Sequence, residues 1–178
     1  MWRTVINFTA LCALASALSA CGVLQTVTDS AASATDAIFY KQVKTLHLDF
    51  DGRQPMNSDR ANMGGLSVAT LLRVYQLRDR QALDKISYDD LMDQGDQAFR
   101  TDLLSERAMV IRPGEAAQLS IPLDKEAAFV AVVALLHSPD TQADDWRLVL
   151  SRNDLHPDVP RLVVLDDNRL SLRRQAGE

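Results

Sequence analysis

Residues 127–136, AAFVAVVALL, are the strongest guide to the fold because they form ten consecutive apolar residues in a chain of 178. A membrane-spanning helix needs about 20 apolar residues, so this run is too short to cross a bilayer. Apolar runs of this length, rich in valine, are typical of a strand with both faces covered. The sequence therefore predicts a central β-strand at this position.

Shorter segments on both sides of this run have the pattern of further strands. Apolar and polar residues alternate at 45–50, 109–111, 119–121 and 146–150, and residues 162–165 and 170–172 form a predicted hairpin. Residues 66–77 are apolar on both faces, so we expect this strand to be covered on both faces as well. Seven or eight short strands at this spacing predict a mainly β chain folded as a two-sheet sandwich over about residues 44–174.

A helical pattern interrupts the strands at about residues 87–105. Ser87 is a predicted N-cap, and the apolar residues that follow it recur at helical spacing. Gly95 should end this helix, and a second short helix should turn Leu103 and Leu104 inward. We therefore expect one short helical insertion in an otherwise β domain.

A loop is predicted at residues 51–65, between the first two strands. Asp51-Gly52 is a turn signal, and nearly all of the following residues are turn formers or polar. Loops of this length without secondary structure are uncommon in compact domains and are often functional. A surface loop that has no function fits the sequence equally well.

The first 20 residues have the features of a lipoprotein signal peptide. Arg3 precedes an uncharged apolar segment, which ends in the box Leu18-Ser19-Ala20-Cys21. Cleavage after Ala20 would make Cys21 the lipidated first residue of the mature chain. The alternative is an ordinary signal peptide, in which the cysteine at position 21 is a coincidence. Gly22, in place of the aspartate that retains such proteins in the inner membrane, favours the periplasmic face of the outer membrane. The composition of residues 21–43 predicts a tether, which is either flexible or partly helical.

Charge and cysteine content narrow the possible functions. Of 19 basic residues only Arg3 lies in the predicted signal peptide, so 18 remain against 24 acidic residues. This acidic balance argues against a nucleic-acid partner. Cys12 would leave with the signal peptide and Cys21 would carry lipid, so the mature domain could form no disulfide. We expect its stability to come from a hydrophobic core.

The sequence offers no arrangement typical of an enzyme. His47, His137 and His156 lie on different predicted elements without metal-ligand spacing, so we expect no metal site. A nucleophile elbow and a glycine-rich phosphate loop are also absent from the sequence. We therefore expect no catalytic residue, no cofactor and no small-molecule substrate.

Several short motifs resemble, in their order and spacing, those of the outer-membrane lipoprotein family of type VI secretion systems, TssJ (also SciN). They are the box at Cys21, LRVYQL at 72–77, Asp-Leu-Leu at 102–104, Arg-Pro-Gly-Glu at 112–115 and Asp-Trp-Arg at 145–147. The resemblance implies a sandwich of transthyretin type. It also implies that the loop between the first two strands binds the periplasmic domain of the inner-membrane protein TssM, in a complex with TssL.

In this chain the implied partner-binding residues are those near the expected loop tip, namely Arg53, Gln54, Pro55, Met56, Asn57 and Ser58. One departure from the family pattern lies at residues 135–137, Leu-Leu-His, where an aromatic and a basic residue are common. Two alternatives remain. The chain could be a lipoprotein subunit of another envelope assembly. It could also be a transthyretin-like periplasmic hydrolase, although the closing Tyr-Arg-Gly-Ser motif of those enzymes is missing.

Overall fold

The predicted central strand is present as β5, Phe129–Leu135, in a computed structural model that describes residues 43–58 and 65–174. It pairs antiparallel with β2, Thr70–Leu77, on one side and with β6, Arg147–Ser151, on the other. Residues 130–134 are all buried, which requires cover on both faces of the strand. The prediction from the apolar run is confirmed.

Among the described residues, eight strands form two four-stranded sheets, as the sandwich prediction requires. The first sheet has the order β4-β1-β7-β8 and the second has the order β3-β2-β5-β6. The remaining strands are β1 at Thr45–Met56, β3 at Leu103–Ile111, β4 at Ala116–Pro122, β7 at Arg161–Asp167 and β8 at Arg169–Leu172. All pairs are antiparallel except β1 with β7. The fold is mainly β, as predicted, while the transthyretin detail stays a prediction.

The core lies between the sheets and extends beneath the helical segment. In β1, Leu46, Leu48 and Phe50 are fully buried and alternate with half-buried polar residues. On the outer face of the second sheet, the Tyr75 ring packs edge-on against Phe99 with centroids 5.1 Å apart. The helical segment therefore covers β2 and β5 on the outer face of the second sheet, which explains why these two strands carry apolar residues on both faces.

The helical segment begins and ends about six residues earlier than predicted. It consists of α1 at Gln81–Lys85, α2 at Tyr88–Gln94 and a 3₁₀ turn at Gly95–Phe99. The predicted cap is confirmed, since the Asp90 amide donates to Ser87 Oγ at 3.1 Å. The placement of Leu103 and Leu104 in a helix is wrong, because both open β3, where Leu103 pairs with Leu77. Across the described residues, no helix has the length and apolarity needed to span a bilayer.

The prediction that Asp51-Gly52 ends the first strand is also wrong, since β1 continues to Met56. Gly52 stays in the sheet: its amide donates to the Glu115 carbonyl at 2.9 Å, and its carbonyl accepts from the Gly114 amide at 2.6 Å. A Cβ at position 52 would lie 2.7 Å from Ile111 Cγ2 and 2.8 Å from the Arg112 carbonyl. Glycine is present here because neighbouring chains approach closely, and not because the chain turns.

Candidate docking surface

The six residues proposed for partner binding divide into an exposed and a buried group. Arg53, Gln54 and Pro55 are exposed on the last part of β1, as expected. The expectation of an exposed tip is wrong for the other three, because Met56, Asn57 and Ser58 are at most 2% exposed. The residues between Ser58 and Gly65, which include the rest of the predicted loop, lie outside the described part of the chain.

Met56 is buried, and its backbone holds the two ends of the loop together. Its amide donates to Ser67 Oγ at 3.1 Å, and its carbonyl accepts from the Val68 amide at 3.2 Å. The chain that leaves β1 at Met56 therefore returns to the same point before β2 begins. Surface loops of 6–16 residues with adjoining ends are compact units that are frequently functional.

Asn57 and Ser58 fasten the start of the loop to two other loops at this end of the sandwich. Asn57 has a φ of 47°, and its Oδ1 accepts from the His137 amide at 2.7 Å. Ser58 Oγ donates to Asp167 Oδ1 at 3.1 Å, and Asn168 Nδ2 donates to the Ser58 carbonyl at 3.0 Å. These two side chains therefore position the loop from inside, which differs from the direct contact expected of them.

The exposed surface at this end combines cations with an apolar side chain. Arg53 Nε lies 3.3 Å from Asp51 Oδ2, and Arg112, in the neighbouring turn, lies 3.6 Å from a Glu115 carboxylate oxygen. Leu66 is 68% exposed where the loop returns. Arginine is enriched at protein interfaces. We call Arg53, Gln54, Pro55, Leu66 and Arg112 the docking surface.

Arg112 and Leu66 were missed at the level of sequence for an identifiable reason. Leu66 was expected to begin a covered strand, but β2 begins only at Thr70. The turn at residues 112–115 was expected between two strands, and the structure shows that these strands, β3 and β4, lie in different sheets. Only the pairing of Gly52 with Gly114 and Glu115 shows that this turn adjoins the end of β1. No local pattern signals that neighbourhood.

The chain enters the domain at the end opposite the docking surface. The Val43 carbonyl accepts from Arg152 Nη2 at 3.0 Å, and the Lys44 carbonyl accepts from the Leu123 amide at 2.9 Å. β1 then runs for 12 residues to Met56, which corresponds to roughly 35–40 Å at about 3.3 Å per residue. Cys21 and Ala20, the predicted lipidation and cleavage residues, lie outside the described residues.

The histidines do not converge on a common site. His47 is on β1, where its Nδ1 lies 2.9 Å from Ser120 Oγ, and the His156 ring accepts from the Asp158 amide at 3.2 Å. His137 follows β5 and contributes its backbone amide to Asn57. Within residues 43–58 and 65–174, no group of three or more histidine, cysteine or acidic side chains is placed to hold a metal ion.

Comparisons with known proteins identify relatives over almost the whole described domain. Residues 44–173 match the family model T6SS-SciN, described as type VI secretion lipoprotein, VasD, EvfM, TssJ. No curated protein matches the chain.

Three solved structures are similar to the domain. A chain in a structure described as "Type VI membrane complex" is 33% identical, with a TM-score of 0.70, over 75% of this chain and 100% of that one. A chain in "T6SS protein TssM C-terminal domain (869-1107) from EAEC" is also 33% identical, with a TM-score of 0.67 and the same coverage. The lipoprotein TssJ1 from Pseudomonas aeruginosa is 20% identical over 75% of this chain and 99% of its own, with a TM-score of 0.59, which supports the shared fold.

Proposed function

Since the chain belongs to the type VI secretion lipoprotein family that includes TssJ, we propose that it anchors the type VI membrane complex to the outer membrane and docks the periplasmic domain of TssM. The observation that carries this proposal is the family match over residues 44–173. The docking surface supplies a place for the contact, because it lies at the end of the sandwich remote from the point where the chain enters.

The choice of TssM as partner is supported by the lengths of the matched chains. In the structure from EAEC, three quarters of this 178-residue chain accounts for 100% of the matched chain. That length is far too short for the range 869–1107 of the TssM domain. The matched chain is therefore a smaller companion of the TssM domain in that structure, and we propose that this chain plays the corresponding role.

The proposed anchor is lipid on Cys21. Burial of acyl chains contributes about 0.8 kcal/mol per CH₂ group, so several chains on one cysteine hold a protein at a bilayer almost irreversibly. The chain enters the domain at Val43, and β1 carries it roughly 35–40 Å to the docking surface. The docking surface is thus at the far end of the domain from the point where the proposed anchor segment joins it. The proposed mechanism is mechanical and requires no catalytic group.

Loop shortening tests the docking function. Replacing residues 59–64 by Gly-Gly retains Met56, Asn57 and Ser58, which belong to the folded domain. Loop closure entropy changes by only about 0.6 kcal/mol per doubling of loop length, so the melting temperature should stay within a few degrees of wild type. Calorimetric titration with the TssM periplasmic domain should show weaker binding, because residues 59–64 belong to the loop implied to bind the partner, while all five residues of the docking surface remain. Unchanged affinity would exclude residues 59–64 from the contact.

Charge reversal separates the docking surface from the rest of the domain. Arg53→Glu and Arg112→Glu should each weaken TssM binding about tenfold or more, which corresponds to about 1.4 kcal/mol. Arg173→Glu is the matched control, because Arg173 is exposed just after β8 and away from the loop end. Equal weakening by all three variants would show a general charge effect and would contradict a localised docking surface.

The anchor is tested by Cys21→Ser. This variant should lose metabolic labelling with palmitate and should fail to support secretion even when the domain folds. Wild-type protein should be recovered in the outer-membrane fraction. Recovery in the inner-membrane fraction, or equal labelling of the two proteins, would contradict the proposed anchor.

A further inference from the structure

The point where the chain enters the domain and the docking surface lie at opposite ends of one strand. β1 begins two residues after Val43 and ends at Met56. Three of the five docking-surface residues, Arg53, Gln54 and Pro55, belong to β1 itself. The backbone of β1 therefore connects the entry point to the docking surface directly, without passing through any other strand.

Neighbouring strands hold β1 from both sides along most of its length. Residues 45–51 pair with β4, and residues 48–52 pair with β7. The ladder hydrogen bonds of an antiparallel pair are perpendicular to the strands, so a displacement of β1 along its axis strains all of them at once. A force along β1 therefore cannot break these hydrogen bonds one after another.

Further hydrogen bonds fix both ends of β1. At the entry end, Arg152 Nη2 donates to the Val43 carbonyl at 3.0 Å, and Arg152 Nη1 donates to the Asp124 carbonyl, in the connection after β4, at 2.8 Å. At the other end, Gly52 is paired with the 112–115 turn through its amide and its carbonyl. A pull that is not aligned with β1 is therefore resisted at both ends before the strand can separate from its neighbours.

Tension promotes unfolding only to the extent that unfolding moves the two points of attachment apart. A β-strand rises about 3.3 Å per residue, and a fully stretched chain reaches at most about 3.6 Å per residue. The segment from Thr45 to Gln54 is therefore already extended to roughly nine tenths of its limit. Because unfolding would lengthen it by only a few ångströms, tension along this segment does little work on the unfolding reaction.

We propose that β1 is the load-bearing element of the domain: tension between an anchor N-terminal to Val43 and a partner on the docking surface passes along the backbone of β1 and leaves the sandwich folded. The inference rests on the proposed function, which supplies the anchor in one membrane and a partner rooted in the other. Load that enters through Arg112 also reaches β1, because the 112–115 turn is paired with Gly52. A complex that links two membranes is under tension whenever they move apart.

Single-molecule pulling between two thiols tests this inference. The full chain carries Cys12→Ser and is synthesised in a cell-free system, so that Cys21 keeps a free thiol for one handle. The second handle is attached at Gln54→Cys, on β1. The matched control is Lys125→Cys, because Lys125 is exposed just after β4 at the entry end, where pulling separates β1 from β4 one hydrogen bond at a time.

The two attachment points should give different results. The Lys125→Cys protein should unfold with a total gain of roughly 270–300 Å, the stretched length of the roughly 80 residues between Val43 and Lys125. The Gln54→Cys protein should show no unfolding step at the force that unfolds this control. Steps at the same force in both proteins would overturn the inference. Arg53→Cys provides a second attachment point on β1 if Gln54→Cys lowers the melting temperature.

A second measurement separates this inference from the proposed function. One handle is attached to Cys21 and the other to a bound TssM periplasmic domain, and the complex should dissociate without an earlier unfolding step. If TssM binds in calorimetric titration but this domain unfolds before the complex dissociates, the proposed function stands and the inference is wrong. If calorimetry detects no TssM binding, the proposed function fails and the inference fails with it.

Discussion

Replacing Asn57 by alanine should destabilise the domain by about 2–4 kcal/mol, although the side chain is small. Two contributions are expected. Asn57 has a φ of 47°, and non-glycine residues without a compensating side chain pay about 1–2 kcal/mol in this left-handed region. The substitution also leaves the His137 amide without its acceptor, and because this hydrogen bond is partly buried its loss costs about 1–2 kcal/mol.

Asn57→Gly separates the two contributions. Glycine adopts a positive φ freely but cannot accept the His137 hydrogen bond, so it should be roughly 1 kcal/mol more stable than the alanine variant. Urea denaturation followed by the fluorescence of the buried Trp146 measures the free energy of unfolding, provided that the slope m is the same in all three proteins. We expect the free energy of unfolding to decrease in the order wild type, Asn57→Gly, Asn57→Ala. The melting temperature of Asn57→Ala should fall by on the order of 10 °C.

The reasoning is refuted by two results. An alanine variant within about 0.5 kcal/mol of wild type would show that Asn57 does not hold the loop. Equal destabilisation by glycine and alanine would show that the backbone conformation contributes nothing. A destabilised Asn57→Ala protein should also bind TssM more weakly, because the loop loses its attachment to the β5–β6 connection.

The remaining predictions concern packing and pH. Gly52→Ala should destabilise the domain by about 2–3 kcal/mol or more, because a Cβ would lie within 2.8 Å of both Ile111 and the Arg112 carbonyl. A melting temperature like that of wild type would contradict this prediction. Tyr88→Phe should lower the free energy of unfolding by about 2–4 kcal/mol in urea denaturation. The Tyr88 hydroxyl both donates to the Leu136 carbonyl and accepts from the Leu136 amide, each at 2.7 Å. A loss below about 1 kcal/mol would show that the Leu136 groups find other partners. Burial raises the pKa of Tyr88 above its usual value of 10.0, so its neutral form stabilises the fold fully below about pH 10, and that contribution is lost as pH rises through the raised pKa. Wild type should therefore lose more stability than Tyr88→Phe above pH 10, and parallel pH profiles for the two proteins would be inconsistent with this.

The strands could be predicted from sequence wherever burial leaves a periodic pattern. The apolar run at 127–136, the alternation at 45–50 and the final hairpin all correspond to observed strands. The errors occur where a long-range contact overrides a local signal. Asp51-Gly52 has the composition of a turn, yet Gly52 remains in β1 because the 112–115 turn packs against it.

The candidate site could be located from sequence only to within a segment. The turn-rich composition pointed to the region after β1, but it could not separate exposed Arg53 from buried Met56. That difference depends on hydrogen bonds from Met56, Asn57 and Ser58 to residues as much as 110 positions away. Asparagine and serine are common in exposed turns and in buried loop attachments alike, so their identity alone does not decide between the two.

The position of β1 in the middle of its sheet constrains when the domain can fold. β1 is the first strand to leave the ribosome, yet its neighbours are β4 and, in parallel, β7, which ends at Asp167. Strand pairs so distant in sequence form late, because closure of the intervening loop costs entropy before any contact is gained. The first sheet therefore cannot be completed until nearly the whole chain has been delivered.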